Sequence, residues 1–347
     1  MSQAIMQNLQ DLASNHRDGH RAADFIAQAG ALMDGALVQV NERVSALTAQ
    51  SPFGAQEAMA HLLEAGGKRL RPLLTLLAAR AVGGDETRAV PCAVAAELVH
   101  NATLLHDDVI DDGDVRRGRP AARLVYGNTL SVLAGDLLMV TALRETQRSE
   151  PPGTSAELLA AVTDMVEGEV LQLRHRGHYT MDRATYVRII SLKTAALFAW
   201  CTRAGSRSGE GSPGEVKSLG HYGHHVGVAF QIRDDMLDLV GDPQRTGKPL
   251  GADLREGKLT LPVLIALERR PALLDDVRAI AAPGGARSAD LLARVIRSLR
   301  ATGSVARCHQ ALERHQLLAR QALRGVRPGP VVDLFCAVAE ALSVRER

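Results

Sequence analysis

Aromatic residues are scarce in this chain. Phe, Tyr and Trp make up 3% of its 347 residues, and no convincing run of alternating apolar and polar positions is present. Residues that favour sheets are therefore few, whereas Ala, Leu and Arg are abundant and favour helices. Segments with helical periodicity alternate with short Gly- and Pro-rich breaks. We therefore predict an all-α protein with ten or more helices, forming a single domain over 1–347 in which 1–18 are loosely ordered.

Charge of one sign, cysteine motifs and long uncharged apolar runs are also lacking. The net charge is +2, which indicates neither a nucleic-acid footprint nor a polybasic membrane anchor. The four cysteines are far apart and form no CxxC pair, which suits free thiols in a reducing compartment and disfavours a cysteine zinc site. The N-terminus has no signal pattern, and no 18-residue uncharged apolar run occurs. We expect a cytoplasmic protein without a membrane span.

Two breaks end in sequence signals for the start of a helix. Thr154 with Glu157, and Ser212 with Glu215, match the capping box, in which each side chain satisfies a backbone N–H of the first turn. Pro213 follows Ser212 at the first helical position, where its missing N–H costs nothing. Helices are therefore predicted to begin at both places.

The segment LLHDDVIDDGDVRRGRP (104–120) places five aspartates within eight positions. On a helix, Asp107 and Asp111 lie one turn apart, as do Asp108 and Asp112, and like charges at that spacing repel. The apolar run AVAAELVHNATLL (93–105) precedes them, so the aspartates end a largely buried helix rather than a solvated one. A bound divalent cation would offset this repulsion.

The pattern recurs in FQIRDDMLDLVGD (230–242), again behind an apolar run, with Asp234, Asp235 and Asp238 at the same spacing. Oxygen ligands without a histidine or cysteine cage suit magnesium, which typically takes one or two carboxylates together with substrate phosphates. Bundles commonly build such sites between facing helices. One shared site requires both clusters to converge.

Basic residues surround the two acidic clusters. Arg116 and Arg117 follow the first cluster, Lys248 and Lys258 follow the second, and GGKRLRP (66–72) adds more at the start of a helix, where free N–H groups also attract anions. Solvated surface cations are the alternative interpretation of that last segment. An acidic, metal-binding lining with a cationic rim indicates a receptacle for diphosphate.

These motifs, with KTAALF (193–198) and GKPLGADLREGKLTLP (247–262), stand in the order seen in trans-isoprenyl diphosphate synthases. The chain resembles the long-chain polyprenyl (octaprenyl-type) members over roughly residues 55–270. The resemblance implies one large helical bundle with a central metal and diphosphate site and an apolar product tunnel. It also implies head-to-tail condensation of isopentenyl diphosphate onto an allylic diphosphate, farnesyl or geranylgeranyl, by a homodimer.

The resemblance assigns a role to each matching residue. The metal ligands, for about three Mg²⁺ ions, would be Asp107, Asp108, Asp111, Asp234, Asp235 and Asp238. The allylic diphosphate would be held by Arg116, Lys193, Thr194, Gln231, Lys248 and Lys258, and isopentenyl diphosphate by Lys68, Arg71, His100 and Arg117. Lys193, Thr194 and Gln231 would be catalytic: Lys193 would steady the leaving group, while Thr194 and Gln231 present oxygens to the allylic cation.

Product length is predicted from the helix face that runs away from Asp107. The positions four, five, eight, eleven and twelve residues before it are Thr103, Ala102, Val99, Ala96 and Ala95. None is aromatic, and the deepest lies about 18 Å down the helix. An open tunnel along this face favours a product longer than twenty carbons. Alternatively, small residues here simply permit tight helix packing.

Three features fit the family pattern less well. Relatives often carry Glu after the third aspartate, so Asp112 is interpreted as supporting the ligands rather than binding metal. His221, His224 and His225 share one helix face at a spacing that could bind metal, although helix packing is the preferred interpretation. His106, beside Asp107, is interpreted as a polar helix residue.

Other functions remain open on the sequence alone. A geranylgeranyl diphosphate synthase of the same family is the nearest alternative. An HD-type phosphohydrolase would use His106 and Asp107 but leaves the second aspartate cluster unexplained. A class I terpene cyclase would carry a mixed second metal motif, and a non-catalytic partner subunit would be expected to lose its aspartates.

The metal interpretation is testable by substitution. Asp→Asn at Asp107, Asp108, Asp234 or Asp235 is expected to lower turnover by orders of magnitude, because each is read as a ligand. The fold should persist, and stability could even increase because a like charge is removed. Steady-state rates and thermal midpoints with and without Mg²⁺ measure both effects. Near-normal turnover in both Asp107→Asn and Asp234→Asn would contradict the metal site.

Overall fold

The computed structural model describes residues 31–67, 69–148, 153–241, 250–282 and 289–341. These residues form fifteen α-helices, which confirms the all-α prediction. The helices are α1 (Asp34–Ala49), α2 (Ala55–Glu64), α3 (Leu70–Ala81), α4 (Val90–Ile110), α5 (Ala122–Thr146), α6 (Thr154–His175), α7 (Arg183–Ile190), α8 (Ala196–Ser208), α9 (Pro213–Val240), α10 (Ala252–Arg255), α11 (Leu261–Arg269), α12 (Leu273–Ala281), α13 (Ala289–Ala301), α14 (Ser304–Ala322) and α15 (Pro330–Ala341).

Shorter elements connect some of these helices. Strands β1 (Val115–Arg116) and β2 (Arg119–Pro120) pair antiparallel between α4 and α5, a small exception to the absence of strands expected from the sequence. A π turn (Ser191–Ala195) joins α7 to α8, and 3-10 turns cover Glu86–Ala89 and Leu323–Gly325. The predicted loose order of 1–18 lies outside the described residues.

Helices begin at both predicted places, at Thr154 and at Pro213, but only one of the two predicted capping boxes forms. Ser212 caps α9, since the backbone N–H of Glu215 donates to its hydroxyl and the Glu215 carboxylate accepts from the Ser212 N–H at 2.9 Å. The other helix instead has Gly153, in the left-handed conformation, as its N-cap. Its Glu157 pairs with Arg207 of α8 at 2.6 Å, so a tertiary ion pair takes the place of the local cap.

The two helices that carry the aspartates, α4 and α9, lie on either side of a central pair. Helix α4 packs against α5 and α3, α3 packs against α8, and α8 packs against α9. The approach of α3 and α8 is very close at Gly205, where a Cβ atom would lie 1.9 Å from the Thr75 carbonyl oxygen. Only glycine allows the two backbones to meet there.

A continuous apolar core runs through these helices, from Met33 to Ala339. Small side chains dominate α4, where Ala95, Ala96 and Ala102 are fully buried. The buried run preceding the first aspartates is therefore confirmed, and it fixes the position of the residues at its end.

Helices α5 and α6 leave a broad apolar surface uncovered. This α5/α6 apolar face comprises Leu124, Val125, Val132, Leu133 and Val140 of α5 with Leu159, Val166, Val170 and Leu173 of α6. By length and composition α5 is long and apolar enough to cross a membrane, and 22% of that stretch is buried in the fold. Asp136 interrupts the stretch, which is why a search for uncharged runs does not reveal it.

The start of α9 provides a stability prediction. Arg327 donates to Glu215 at 2.9 Å, and this bond, with the Ser212 contacts, lowers the pKa of Glu215 from 4.5 to about 2 despite its burial. Because the folded pKa is depressed, the stabilisation is complete above pH 4.5 and is lost as the pH falls towards 2. Glu215→Gln should therefore reduce the free energy of unfolding at pH 7 by about 1–2 kcal/mol.

Urea unfolding at pH 7, with thermal midpoints followed down to pH 3, measures the effect. The gap between wild type and Glu215→Gln should narrow below pH 4.5, because the Glu215 carboxylate of the unfolded chain then takes up a proton that the folded protein binds only near pH 2. Glu64→Gln, at the exposed end of α2, serves as the matched control and should differ little from wild type at any pH. A gap that stays constant with pH would contradict the assigned ion pair.

Candidate functional site

The first aspartate cluster lies at the end of α4. Asp107 and Asp108 belong to the last turn, and Asp111 is the C-cap residue. Asp112 follows in the left-handed conformation, with its side chain 84% exposed beside Arg123. The expected helical pairing of Asp108 with Asp112 is therefore wrong, because the helix ends before Asp112, which lies at the rim.

The β-hairpin returns Arg116 and Arg117 to this cluster. Arg116 Nε donates to Asp108 Oδ1 at 2.9 Å, and Asp108 is only 1% exposed. The Arg117 side chain does not pair with Asp108 but donates to the carbonyl oxygens of Gly66 and Leu62. The two adjacent arginines thus separate, one towards the aspartates and one towards the GGKRLRP segment.

The second cluster lies in the last turns of α9. Asp235 is buried and accepts hydrogen bonds from Tyr186 Oη at 2.6 Å and from Gln231 Nε2 at 2.7 Å. Asp238 accepts from the backbone N–H of Ala252 at 3.0 Å, which ties α10 to α9. Asp234 is exposed.

The π turn connects the two clusters through Lys193 and Thr194. Lys193 Nζ contacts Glu169 of α6 and lies 3.8 Å from Asp107 Oδ1. Thr194 Oγ1 donates to Gln231 Oε1 at 2.8 Å, and Gln231 in turn reaches Asp235. The sequence-predicted catalytic residues therefore lie between the two aspartate clusters.

Lys258 makes a second connection at the other side of the site. Its Nζ lies 2.8 Å from Asp111 Oδ2, and its backbone N–H donates to the Asp253 carbonyl oxygen at 2.8 Å. Arg176, at the end of α6, also donates to Asp111, at 3.3 Å. The clusters at 107–111 and 234–238 therefore face one another, as a shared site requires.

Burial opposes the ionised forms of several carboxylates in this site. Burial raises the pKa of Asp107 and raises that of Asp235 to about 7, and burial together with Asp238 holds the pKa of Asp253 well above its usual value. Burial would lower the pKa of Lys258, but Glu256 and Asp111 raise it overall. Carboxylates in this setting need cations nearby.

The donor set fits a hard divalent cation. Asp108 Oδ2 is buried without a hydrogen-bond partner, which leaves an oxygen free to bind an ion. Among the described residues, no three carboxylate, histidine or cysteine side chains already form a finished ion-binding group. This arrangement suits magnesium, because it takes few carboxylates and completes its shell with water and phosphate oxygens.

A second group of basic side chains, referred to below as the cationic pocket, consists of Arg71, His100 and Arg117. Arg71 stacks over Phe198, with Cζ 4.6 Å from the ring centroid, and its buried Nε has no hydrogen-bond partner. Burial and the neighbouring arginines, Arg71 first, hold the pKa of His100 well below its usual value. An anion is the natural ligand of such a pocket. Lys68 and Lys248, predicted to bind the two diphosphates, lie outside the described residues.

The predicted tunnel face is largely buried. Ala95, Ala96, Val99 and Ala102 have no exposed surface, and Thr103 is partly buried and donates to the His100 carbonyl oxygen. The four buried side chains are packed against other parts of the fold, and no solvent-accessible channel reaches them within the part of the chain that the structure describes. No aromatic side chain stands among them.

Of the other histidines singled out in the sequence, His225 and His106 contact neighbouring helices. His225 Nδ1 lies 3.2 Å from His315 Nδ1 of α14, with His224 stacked edge-on against His225. His221 is exposed. His106 Nε2 lies 3.1 Å from the Val132 carbonyl oxygen of α5. These contacts agree with packing and polar helix roles.

Some site residues gave no signal in the sequence. Glu169, Arg176, Tyr186 and Asp253 reach the site through contacts between distant helices, and none stands at a diagnostic spacing. Asp253 alone could have been found, because it lies within GADLREGK between two predicted binding lysines.

Comparison with known proteins identifies related sequences and folds. Residues 54–297 match the sequence model of the polyprenyl synthetase family. The chain is 36% identical to a short chain isoprenyl diphosphate synthase of Methanothermobacter thermautotrophicus, over 89% of this chain and 94% of the relative. It is 34% identical to the octaprenyl diphosphate synthase of Escherichia coli, over 88% of this chain and 99% of the relative.

Comparison with solved structures identifies the same family. The polyprenyl synthase from Caulobacter crescentus, complexed with calcium and isoprenyl diphosphate, superimposes with a TM-score of 0.86 and 34% identity. That match covers 91% of this chain and 97% of the other. The relatives include both short-chain and long-chain enzymes, so similarity alone does not set the product length.

Proposed function

The chain belongs to the polyprenyl synthetase family of trans-prenyltransferases, and we propose that it extends farnesyl or geranylgeranyl diphosphate with isopentenyl diphosphate to a long-chain all-trans product. The observation that carries this proposal is the facing pair of aspartate clusters, joined through Lys193, Thr194 and Gln231 on one side and Lys258 on the other. Such a site can hold one diphosphate and stabilise its departure.

The allylic diphosphate would lie between the clusters. Asp107, Asp108 and Asp111 with Asp234, Asp235 and Asp238 would hold divalent ions, proposed to be about three Mg²⁺, whose charge stabilises the leaving diphosphate. A solved relative that binds calcium supports this assignment. The nearby Arg116, Lys193 and Lys258, which now neutralise Asp108, Asp107 and Asp111, would then turn to the diphosphate oxygens, with Lys248 as a further ligand.

Isopentenyl diphosphate would occupy the cationic pocket. Arg71, His100 and Arg117 face it, and Lys68 is assigned there by resemblance. Ionisation of the allylic substrate gives a cation that the isopentenyl double bond attacks, followed by loss of a proton. The oxygens of Thr194 and Gln231 would stabilise the cation, and the departing diphosphate would take the proton, so no side chain must act as a strong base.

The growing chain would run along the inner face of α4. Ala95, Ala96, Val99, Ala102 and Thr103 present no bulky plug beneath the first aspartates, which favours a product of more than twenty carbons. A geranylgeranyl diphosphate synthase is the alternative, in which another helix closes the tunnel after twenty carbons.

We also propose that the enzyme works as a soluble cytoplasmic homodimer with one domain per chain. A second copy of the chain would cover the α5/α6 apolar face, and this would explain why a membrane-length apolar helix stays exposed in one chain. Apolar surface of this extent marks an interaction site.

The proposed function leads to two predictions, and the first concerns product length. Wild type, given farnesyl diphosphate, isopentenyl diphosphate and Mg²⁺, should yield products of roughly thirty-five to fifty carbons. Because the primer already has fifteen carbons, Ala102→Tyr should stop elongation at about twenty carbons while turnover continues, since the chemistry lies above the plug. Chromatography of dephosphorylated products gives the lengths. Thermal midpoints establish folding, and Ala102→Leu should give an intermediate shortening.

Each outcome selects one function. Wild-type products that stop at twenty carbons favour the geranylgeranyl alternative, and cyclised hydrocarbon or free phosphate would reject chain elongation. Unchanged products from a folded Ala102→Tyr enzyme would reject the tunnel along α4.

The second prediction concerns the homodimer. Leu133→Asp and Val170→Asp should each shift the sedimenting species from twice the chain mass towards one chain, because a buried unpaired charge disfavours the interface. Leu317→Asp, at a 54% exposed position of α14, is the matched control for 50% exposed Leu133 and should leave the mass unchanged. A monomeric wild type would contradict the proposal.

A further inference from the structure

Arg69, at the centre of GGKRLRP, does not share the pocket of its neighbour Arg71. Its backbone is left-handed, with φ of 47°, an uncommon conformation for a residue with a side chain. From this position Arg69 caps α3, and its side chain is 11% exposed. Such a conformation persists only when its surroundings hold it in place.

Glu97 of α4 provides that constraint. Its buried carboxylate forms an ion pair with Arg69 Nη1 and accepts from Asn101 Nδ2 at 2.9 Å. On its other side, Arg69 Nε donates to Asn41 Oδ1 at 3.1 Å, which adds a contact with α1. The guanidinium is therefore held by two helices, and the start of α3 is fixed against α4.

Glu97 also balances the charge of the adjoining pocket. Arg69, Arg71, Arg116 and Arg117 all act on His100. Burial lowers the pKa of Arg71 and Arg117, and Glu97 is the carboxylate that favours their charged forms. Among the residues that the structure describes, Glu97 forms an ion pair with Arg69 alone. Its negative charge offsets the repulsion among the arginines, while the guanidinium groups of Arg71 and Arg117, which would face the ligand, form no ion pair with it.

We infer that Glu97 is a positioning residue for the isopentenyl diphosphate pocket: through Arg69 it fixes the first turn of α3, and so holds Arg71 beside His100 and Arg117 with its guanidinium free for a phosphate. This inference rests on the proposed function for the identity of the ligand. Its physical basis, a cationic pocket held by one buried counter-charge, requires only that a diphosphate binds there.

The test measures KM for each substrate and kcat in variants of Glu97 and Arg69. Glu97→Gln keeps the size of the side chain and an acceptor for Asn101 but removes the charge. It should raise the KM for isopentenyl diphosphate about ten- to a hundred-fold, with little change in the KM for the allylic substrate or in kcat at saturation. Glu97→Asp should recover part of the loss. Arg69→Asn, which tolerates the left-handed backbone, should reproduce the effect of Glu97→Gln.

Glu145→Gln is the matched control. Glu145 is equally buried and pairs with Arg43 of α1 at 2.7 Å, away from the pocket. Both Gln variants should lower the thermal midpoint, because each leaves an arginine without its partner. Only the Glu97 variant should change the KM for isopentenyl diphosphate. If Glu97→Gln changed the KM values for both substrates equally, Glu97 would have only a structural role. The same conclusion would follow if Glu145→Gln changed the KM for isopentenyl diphosphate as much as Glu97→Gln does.

Calorimetry with inorganic diphosphate in EDTA tests the pocket independently of catalysis. Without metal ions the aspartate site should not retain the anion, so binding should report the cationic pocket. Wild type and Glu145→Gln should bind alike, and Glu97→Gln about ten-fold or more weakly. Equal binding by all three overturns the inference even if the enzyme elongates chains. A selective loss upholds it even if elongation is not observed.

Discussion

Repulsion among carboxylates buried at the facing ends of α4 and α9 is the constraint on which this structure depends. Burial favours the protonated forms of Asp107 and Asp235, and the chain opposes this with its own cations. Arg116, Lys193 and Lys258 each reach an aspartate from a different element. The hairpin, the π turn and the segment after α10 are therefore all placed by the same charge balance.

Much of this arrangement could be predicted from the sequence, and the failures have a common cause. Patterns within one helix were informative: the all-α class, the Ser212 cap and the buried run before Asp107 were predicted correctly. The Thr154 cap was predicted wrongly because Glu157 pairs with arginines of α8, a contact that no local sequence pattern predicts. Glu97 and Tyr186 escaped notice for the same reason, since their importance arises from partners far along the chain.

Small residues and charged residues have different roles in this fold. Alanines and glycines let α3, α4 and α8 approach closely, so the backbone framework around the site is dense. Long cationic side chains then cross the remaining space to the aspartates. A densely packed framework that carries long cationic side chains suits a site in which ion pairs must be exchanged when a diphosphate binds.

The π turn at Ser191–Ala195 has a consequence for register. A π turn accommodates one residue more than the α-helix around it, so the two flanking helices are out of phase by about 100°. Loss of a single residue from this turn would restore an unbroken helix from α7 to α8. It would also rotate Lys193 away from Asp107, or Tyr186 away from Asp235. The extra residue thus lets the helical segment from α7 to α8 direct side chains towards both aspartate clusters at once.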